Sequence, residues 1–282
     1  MSCNISSEGF NKPLLKELLQ ILTNYFESID SEFYVIGATA RDIITSSIHN
    51  HTSARKTYDL DIAIAIPDWN MFEQISTDLI ALGDFKKSTK EKQEFWYKNV
   101  FKLDVVPFGE VAEKDKNIYW PPEEDIAMSI LGFTEVAKNT LTVTIDNEFT
   151  IKVASLPGIF ILKQVAFNDR KLLNNKDADD MAFIIANYLE INEIRAVKEH
   201  YDIYEVDNFN IFTAGATLLG RDIKQMLHKD KETIESFSKI LETELALEEE
   251  SMLINQMLET NKSLKYEETL EALQTLLQEL KK

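Results

Sequence analysis

The chain has 282 residues, 44% of them hydrophobic, so it can bury a core and is not intrinsically disordered. Its formal net charge of −18 argues against a scaffold that holds nucleic acid by the phosphates alone. A lone cysteine, Cys3, excludes an internal disulfide, and no apolar run has the length of a membrane span. We therefore expect a cytoplasmic protein without a membrane partner.

The first half of the sequence predicts a mixture of helices and strands. Residues 1–10 are predicted to be flexible, and Pro13 opens a helix whose leucines recur at helical spacing. Asp68 is predicted to cap a later helix that ends near Leu82. A further helix is predicted over residues 38–48. Strands are predicted over residues 33–36, 58–66, 95–97, 101–106, 141–145 and 149–153.

The second half of the sequence predicts helices alone. Ser155 can cap a helix that runs to about Arg170. Further helices are predicted over residues 176–189, 192–200, 214–228, 231–259 and 266–280. This change of character predicts an α+β protein with two domains, residues 1–153 and 154–282, the second ending in acidic helices.

The segment from Tyr58 to Ile66 carries the most informative pattern. Leucine and isoleucine alternate with Asp59 and Asp61, which indicates a strand with both carboxylates on one face. Asp104 stands among apolar residues in another predicted strand. Three strand carboxylates suit hard divalent ions, so we predict that Asp59, Asp61 and Asp104 bind a pair of Mg²⁺ or Mn²⁺ ions and catalyse phosphoryl transfer. The alternative is solvated carboxylates on strand edges.

Two further groups of residues are candidates for a nucleotide site. In the first, Gly37 stands at a strand-to-helix turn, where backbone N–H groups can approach a phosphate, and Arg41 and the Arg55-Lys56 pair are nearby cations. The structural alternatives are that Gly37 only forms an ordinary turn and that Arg41 and the Arg55-Lys56 pair are solvated surface charges.

The second group lies in the helical half of the sequence. Lys163 and Arg170 share one face of a predicted helix, and Asp177 and Asp180 share a face of the next. These four residues are predicted either to form an inter-helix ion-pair network that holds the domains together or to provide a second wall of the nucleotide site.

With these residues in view, the chain resembles the DNA polymerase β-like nucleotidyltransferases. That superfamily has a Gly-Gly or Gly-Ser turn, an Asp-x-Asp/Glu strand and a third strand aspartate, matched here by Gly37-Ala38, Asp59-x-Asp61 and Asp104. The chain most resembles the AbiEii/AbiGii toxin group. That group also has a downstream Lys, Ala, Arg and Asp-x-x-Asp, which we match in the set Lys163, Ala166, Arg170, Asp177 and Asp180. The resemblance extends to about residue 230.

The resemblance implies a fold, a reaction and partners. It implies a polymerase β-like mixed sheet with flanking helices, and transfer of a nucleotide from an NTP to an acceptor such as tRNA or a protein. A cognate antitoxin is implied as a partner. Lys163 would contact the triphosphate, and Asp177 or Asp180 would orient it or the acceptor. The nucleotide-binding set predicted in this way is Gly37, Ala38, Thr39, Arg41, Arg55, Lys163, Arg170, Asp177 and Asp180.

The sequence departs from the superfamily pattern in two places and leaves three other functions open. Ala38 replaces the second Gly or Ser of the turn, so a serine contact to phosphate is absent, and the interval from Gly37 to Asp59 is longer than usual. The segment from Gly37 to Asp42 also resembles an element of tRNA CCA-adding enzymes, but no Glu-Asp-x-x-Arg motif follows. The remaining alternatives are a small-molecule nucleotidyltransferase of the aminoglycoside-modifying kind and a non-catalytic nucleotide-binding module.

Overall fold

The computed structural model describes residues 2–10, 13–48, 59–124 and 127–282. The chain divides into two compact units, Met1–Ser155 and Leu156–Lys282. The first unit combines strands with helices, and the described part of the second is helical. The chain is therefore α+β with a helical C-terminal region, as predicted.

The first unit is built on a mixed eight-stranded sheet. The strands of the sheet are β1 (Ser2–Ile5), β2 (Phe33–Ile36), β3 (Asp59–Ile66), β4 (Phe85–Lys87), β5 (Glu94–Tyr97), β6 (Phe101–Gly109), β9 (Thr140–Ile145) and β10 (Phe149–Ala154). Two further strands, β7 (Asn117–Tyr119) and β8 (Ala127–Ser129), form a separate hairpin. The strand order is β1-β9-β10-β2-β3-β6-β5-β4. The central strand β3 pairs antiparallel with β2 and parallel with β6.

The first unit contains four described α-helices. They are α1 (Pro13–Ser28), α2 (Gly37–Asp42), α3 (Trp69–Ala81) and α4 (Phe133–Lys138). The predicted cap of α3 is confirmed, because the Asp68 carboxylate accepts a hydrogen bond from the Met71 N–H at 3.0 Å. The leucines Leu15, Leu18, Leu19 and Leu22 of α1 are buried, so this helix contributes the apolar stripe that its spacing predicted.

Two sequence predictions in the first unit were wrong. The start of the chain is not a flexible arm: β1 pairs in parallel with β9, and the Ser7 N–H donates to Asp146 Oδ1 at 2.9 Å. The helix predicted over residues 38–48 is α-helical only as far as Asp42 and continues as a π-helix, Ile43–Ile48. Within this change of pitch the Thr45 hydroxyl donates to the carbonyl of Arg41 at 2.9 Å, a bond that competes with regular helix geometry.

The second unit contains seven described α-helices. They are α5 (Leu156–Arg170), α6 (Lys176–Ile191), α7 (Glu193–Glu199), α8 (Ile211–Leu227), α9 (Lys231–Leu245), α10 (Met252–Thr260) and α11 (Tyr266–Lys281). Helix α8 packs against α6 and α11 and so lies at the centre of this unit. Within the described residues no helix has the length and hydrophobicity needed to cross a bilayer.

The single helix predicted over residues 231–259 is two helices, α9 and α10. Ser251 starts α10, since its hydroxyl accepts from the Ile254 N–H at 3.3 Å. The buried carboxylate of Glu244 supports the break, because it accepts from the Ser251 hydroxyl at 2.9 Å and from the Leu253 N–H at 3.0 Å. These side-chain bonds satisfy backbone groups that a continuous helix would pair internally.

Candidate active site

The pairing of β3 with β6 brings the predicted carboxylates onto one face of the sheet. Asp61 lies opposite Asp104, and Asp59 lies opposite Lys102. Paired residues on neighbouring strands project from the same face, so these four side chains are neighbours. The residues that alternate with them, Leu60, Ile62, Leu103 and Val105, are completely buried on the other face. One side of these strands therefore forms the core and the other carries the acids.

Gly37 lies directly against one of these acids. Its φ of +65° is in the left-handed region, and an ideal Cβ on it would lie 2.4 Å from Asp61 Oδ2. Both the backbone conformation and the available space therefore require glycine at this turn. The register partner of Asp61 on β2 is Ile36, the residue before Gly37, which explains why turn and carboxylate are adjacent.

Asp104 is largely buried among other charged groups. Its side chain is 14% exposed, and Lys102 Nζ lies 2.8 Å from its Oδ2. Its Oδ1 is buried and has no hydrogen-bond partner among the described residues. Burial, followed by the nearby charge of Asp61, raises the pKa of Asp104 to about 6. This carboxylate is therefore stabilised by added positive charge.

Lys102 and Glu94 belong to the same cluster and were missed in the sequence. Glu94 of β5 lies opposite Asp104, and its Oε2 is 3.4 Å from Lys102 Nζ. Burial alone would lower the pKa of Lys102, but the contact with Asp104 holds that pKa above its ordinary value. Lys102 could have been found from its alternation with Asp104, whereas the position of Glu94 depends on a strand register that no local pattern encodes.

The acids have the chemistry of a divalent-metal site. In the part of the chain that the structure describes, no group of three or more His, Cys, Asp or Glu side chains converges closely enough to be a ready-made metal site. The donor atoms nevertheless fit a hard cation, since they are carboxylate oxygens on adjacent strands and Asp104 Oδ1 has no partner within the described ranges.

The other predicted nucleotide-binding residues of the first unit are mostly buried. Ala38 is buried, and the Thr39 hydroxyl donates to the carbonyl of Asp59 at 2.8 Å, which ties α2 to the start of β3. The side chain of Arg41 is 2% exposed, and its Nη2 lies 2.7 Å from Asp42 Oδ1. The structure thus places Arg41 in the interior, and Arg55 lies outside the described residues.

The predicted residues of the second unit form one cluster between α5 and α6. Lys163 Nζ lies 3.0 Å from Asp177 Oδ1 and 2.7 Å from Asp180 Oδ2. Arg170 donates two hydrogen bonds to Asp177, at 2.7 and 2.9 Å. Burial alone would raise the pKa of Asp177, but Arg170 and Lys163 hold it below its ordinary value. The network joins two helices of one unit, and its role at a nucleotide stays a prediction.

Comparison with protein families defines the class of the protein. The sequence model described as nucleotidyl transferase AbiEii toxin, type IV toxin–antitoxin system, matches residues 18–279. This range spans almost the whole chain and includes every predicted site residue, so the protein is an enzyme of the nucleotidyltransferase class. The chain belongs to the AbiEii toxin family, which confirms the resemblance drawn from its motifs. The predicted limit of that resemblance near residue 230 was wrong, because the match continues through the last helices to residue 279.

Comparison with individual proteins adds less. Among solved structures, the chain is similar to the antibiotic-resistance factor ANT(2'')-Ia, with a TM-score of 0.36 and 12% sequence identity over 67% of this chain and 94% of that one. A similarity of this extent is too low to define the fold or the acceptor. No curated protein sequence matches the chain.

Proposed function

We propose that this toxin transfers a nucleoside monophosphate from an NTP to an RNA acceptor such as tRNA, or to a protein, with divalent metal held by Asp59, Asp61 and Asp104. The observation that carries the proposal is the register pairing of Asp61 with Asp104, whose buried Oδ1 has no partner in the described part of the chain. An enzyme of this family acts on an NTP and is paired with an antitoxin. The metal ligands and the acceptor are the proposed part.

Each residue of the cluster has a distinct role in this proposal. Bound Mg²⁺ or Mn²⁺ would neutralise the triphosphate and lower the pKa of the attacking hydroxyl, preferably as a pair of ions. Asp59, Asp61 and Asp104 would bind these ions on one face of β3 and β6. Gly37, having no side chain, leaves Asp61 its position. Contact of a phosphate with Ala38 and Thr39 is proposed on the basis of the family resemblance alone.

Lys102 prepares Asp104 for this role. Its ammonium group lies 2.8 Å from Asp104 Oδ2 and thereby offsets part of the cost of a buried negative charge. The contact engages one of the two carboxylate oxygens, and we assign the other, Oδ1, to a metal ion. Lys163, Arg170, Asp177 and Asp180 are proposed nucleotide contacts on the basis of the family resemblance alone.

Label transfer tests the proposed reaction. Purified protein would be incubated with Mg²⁺, total RNA or total protein, and each NTP labelled at its α-phosphate. We expect label on one acceptor class, and a loss of about 100-fold or more in an Asp59→Asn, Asp61→Asn double variant, because two metal ligands are removed. Asp84→Asn is the matched control, since Asp84 is an exposed acid of the same unit. Equal labelling by the double variant would refute the metal assignment.

Growth experiments test the antitoxin pairing separately. Expression of the chain should stop growth, co-expression of the neighbouring gene should restore it, and the double variant should be harmless at equal protein level.

An aminoglycoside included among the acceptors of the label-transfer assay tests the small-molecule alternative. Label on the aminoglycoside, with none on RNA or protein, would replace the proposed acceptor.

A further inference from the structure

We propose that Trp96, on the sheet face beside the carboxylates, stacks against a nucleobase of the bound substrate. The inference rests on the proposed function, because the base is that of a nucleotide whose phosphates lie at Asp59, Asp61 and Asp104. It concerns a residue of β5 that neither the sequence motifs nor the family match assigns to the site. Two rows of side chains across the sheet carry the inference.

The strand registers place Trp96 in line with the acids. Trp96 lies opposite Lys102 on β6, and Lys102 lies opposite Asp59 on β3. On its other side, Trp96 lies opposite Lys86 of β4. One row across the sheet therefore reads Lys86, Trp96, Lys102 and Asp59. The neighbouring row reads Glu94, Asp104 and Asp61.

Trp96 is open to solvent although its strand is part of the core. Its neighbours Phe95 and Tyr97 are completely buried on the other face, whereas Trp96 is 38% exposed. The indole Nε1 donates to Glu94 Oε1 at 2.9 Å, so the polar edge of the ring is tied to the row that contains Asp104. The ring is thus held in place beside the acids while a substantial part of it remains uncovered.

The spacing suits a nucleotide. Trp96 and Asp59 are separated by two strand intervals, or about 10 Å. This distance is comparable to the span from the base of a nucleotide to its phosphates. Lys102 lies between them, with its ammonium group already in contact with Asp104 and Glu94, and Lys86 lies beyond the ring. With metal ions bound to the carboxylates, a ligand that has both phosphates and an aromatic group matches this arrangement.

A nucleobase is the aromatic group that fits best. Indole stacks on any base, since every base has a π face, and Lys102 lies on the side of the ring where the phosphates are placed. Two sources supply a base at this position, the NTP and the end of a single-stranded RNA acceptor. Both sources share the stacking chemistry, so the experiment has one arm for each.

The experiment measures binding without turnover. Wild type, Trp96→Leu and Trp96→Phe would be titrated with a non-hydrolysable NTP, with inorganic triphosphate and with a short single-stranded RNA, all with Mg²⁺. We expect Trp96→Leu to weaken binding of the NTP or the RNA about tenfold or more, and Trp96→Phe to retain most of the affinity. Triphosphate, which has no base, should bind Trp96→Leu and wild type equally.

Fluorescence provides a second readout. The ligand that stacks should quench tryptophan emission in wild type and in Trp69→Phe, and the quenching should be lost in Trp96→Phe. An effect in the NTP arm assigns the base to the NTP, and an effect in the RNA arm alone assigns it to the acceptor. The inference would be overturned if folded Trp96→Leu bound both the NTP and the RNA with the affinity of wild type. It would also be overturned if wild type bound neither ligand.

These outcomes are separable from those for the reaction. Label transfer that survives loss of Asp59 and Asp61 would refute the metal assignment and leave the effect of Trp96 on binding intact. Conversely, unchanged binding in Trp96→Leu beside a strictly carboxylate-dependent transfer would refute only the stacking role.

Discussion

Gly37 and Asp61 are so close that a methyl group on Gly37 would lie 2.4 Å from Asp61 Oδ2. The position of the acid on the strand therefore depends on the glycine at the turn. A side chain at residue 37 would have to displace the carboxylate, and Ala38, which follows, is already buried. Gly37, which the sequence singled out as a turn residue, here sets the position of an acid on β3.

Gly37→Ala should therefore impair both stability and transfer. The positive φ alone costs about 1 kcal/mol for alanine, and displacement of Asp61 should lower NMP transfer in addition. Gly83→Ala is the matched control, since Gly83 has a φ of +91° and no described atom lies within 4 Å of an ideal Cβ placed on it. Thermal unfolding should show that both variants lose stability through the positive φ. Label transfer should fall in Gly37→Ala only. Full activity in Gly37→Ala would contradict a shared role for the two residues.

The raised pKa of Asp104 makes a prediction about stability and pH. The folded protein holds this proton more tightly than the unfolded chain, so the contribution of Asp104 to the free energy of unfolding falls as pH rises from about 4 to about 6. Asp104→Asn removes this group. The change that it causes in the free energy of unfolding of the metal-free protein should therefore be more favourable at neutral pH than near pH 4, by about 2–3 kcal/mol. Urea unfolding in the presence of a chelator at both pH values measures the difference.

An exposed acid is the control for this pH experiment. Asp84→Asn should change stability by the same small amount at both pH values, because Asp84 is half exposed. If Asp104→Asn also has the same effect at both, the carboxylate is not under the electrostatic strain that its burial indicates.

The network of the second unit gives a third prediction. Lys163→Met leaves the buried Asp180 without its ammonium partner at 2.7 Å, which should cost about 3–5 kcal/mol. Adding Asp180→Asn removes the buried charge that Lys163 had paired and should restore much of the lost stability. Transfer should nevertheless remain low in the double variant, since Lys163 is proposed to contact the triphosphate.

Two comparisons complete that experiment. Lys265→Met removes an exposed pair with Glu268 and should change stability by less than about 1 kcal/mol. Recovery of transfer together with stability in the double variant would show that Lys163 only holds the two helices together.

The local patterns of the sequence predicted much of the fold because they depend on neighbouring residues. The alternation from Leu60 to Ile66 predicted β3, and the Asp68 cap and the hydrophobic spacing after it predicted α3. The acids were recognisable for the same reason, since carboxylates on an otherwise apolar strand are costly unless a cation offsets them. In this way the sequence alone was enough to select Asp59, Asp61 and Asp104 as candidates.

Long-range pairing is what the patterns could not predict. The short polar segment Ser2–Ile5 becomes a strand only because it pairs with β9, far along the chain. Likewise Glu94 and Trp96 join the acids through the register of β5 with β6. The division of the 231–259 helix depends on the buried Glu244 binding a hydroxyl and an N–H several residues later. Such partners are not adjacent in sequence.

Manganese binding tests the central claim most directly. Mn²⁺ has an electron spin resonance signal that reports the free ion, so its affinity can be measured for wild type, Asp61→Asn, Asp104→Asn and the control Asp84→Asn, each with a non-hydrolysable NTP. We predict affinity at least about tenfold weaker in both site variants and unchanged in the control. Wild-type affinity in Asp61→Asn and Asp104→Asn would contradict the assignment of these carboxylates as metal ligands.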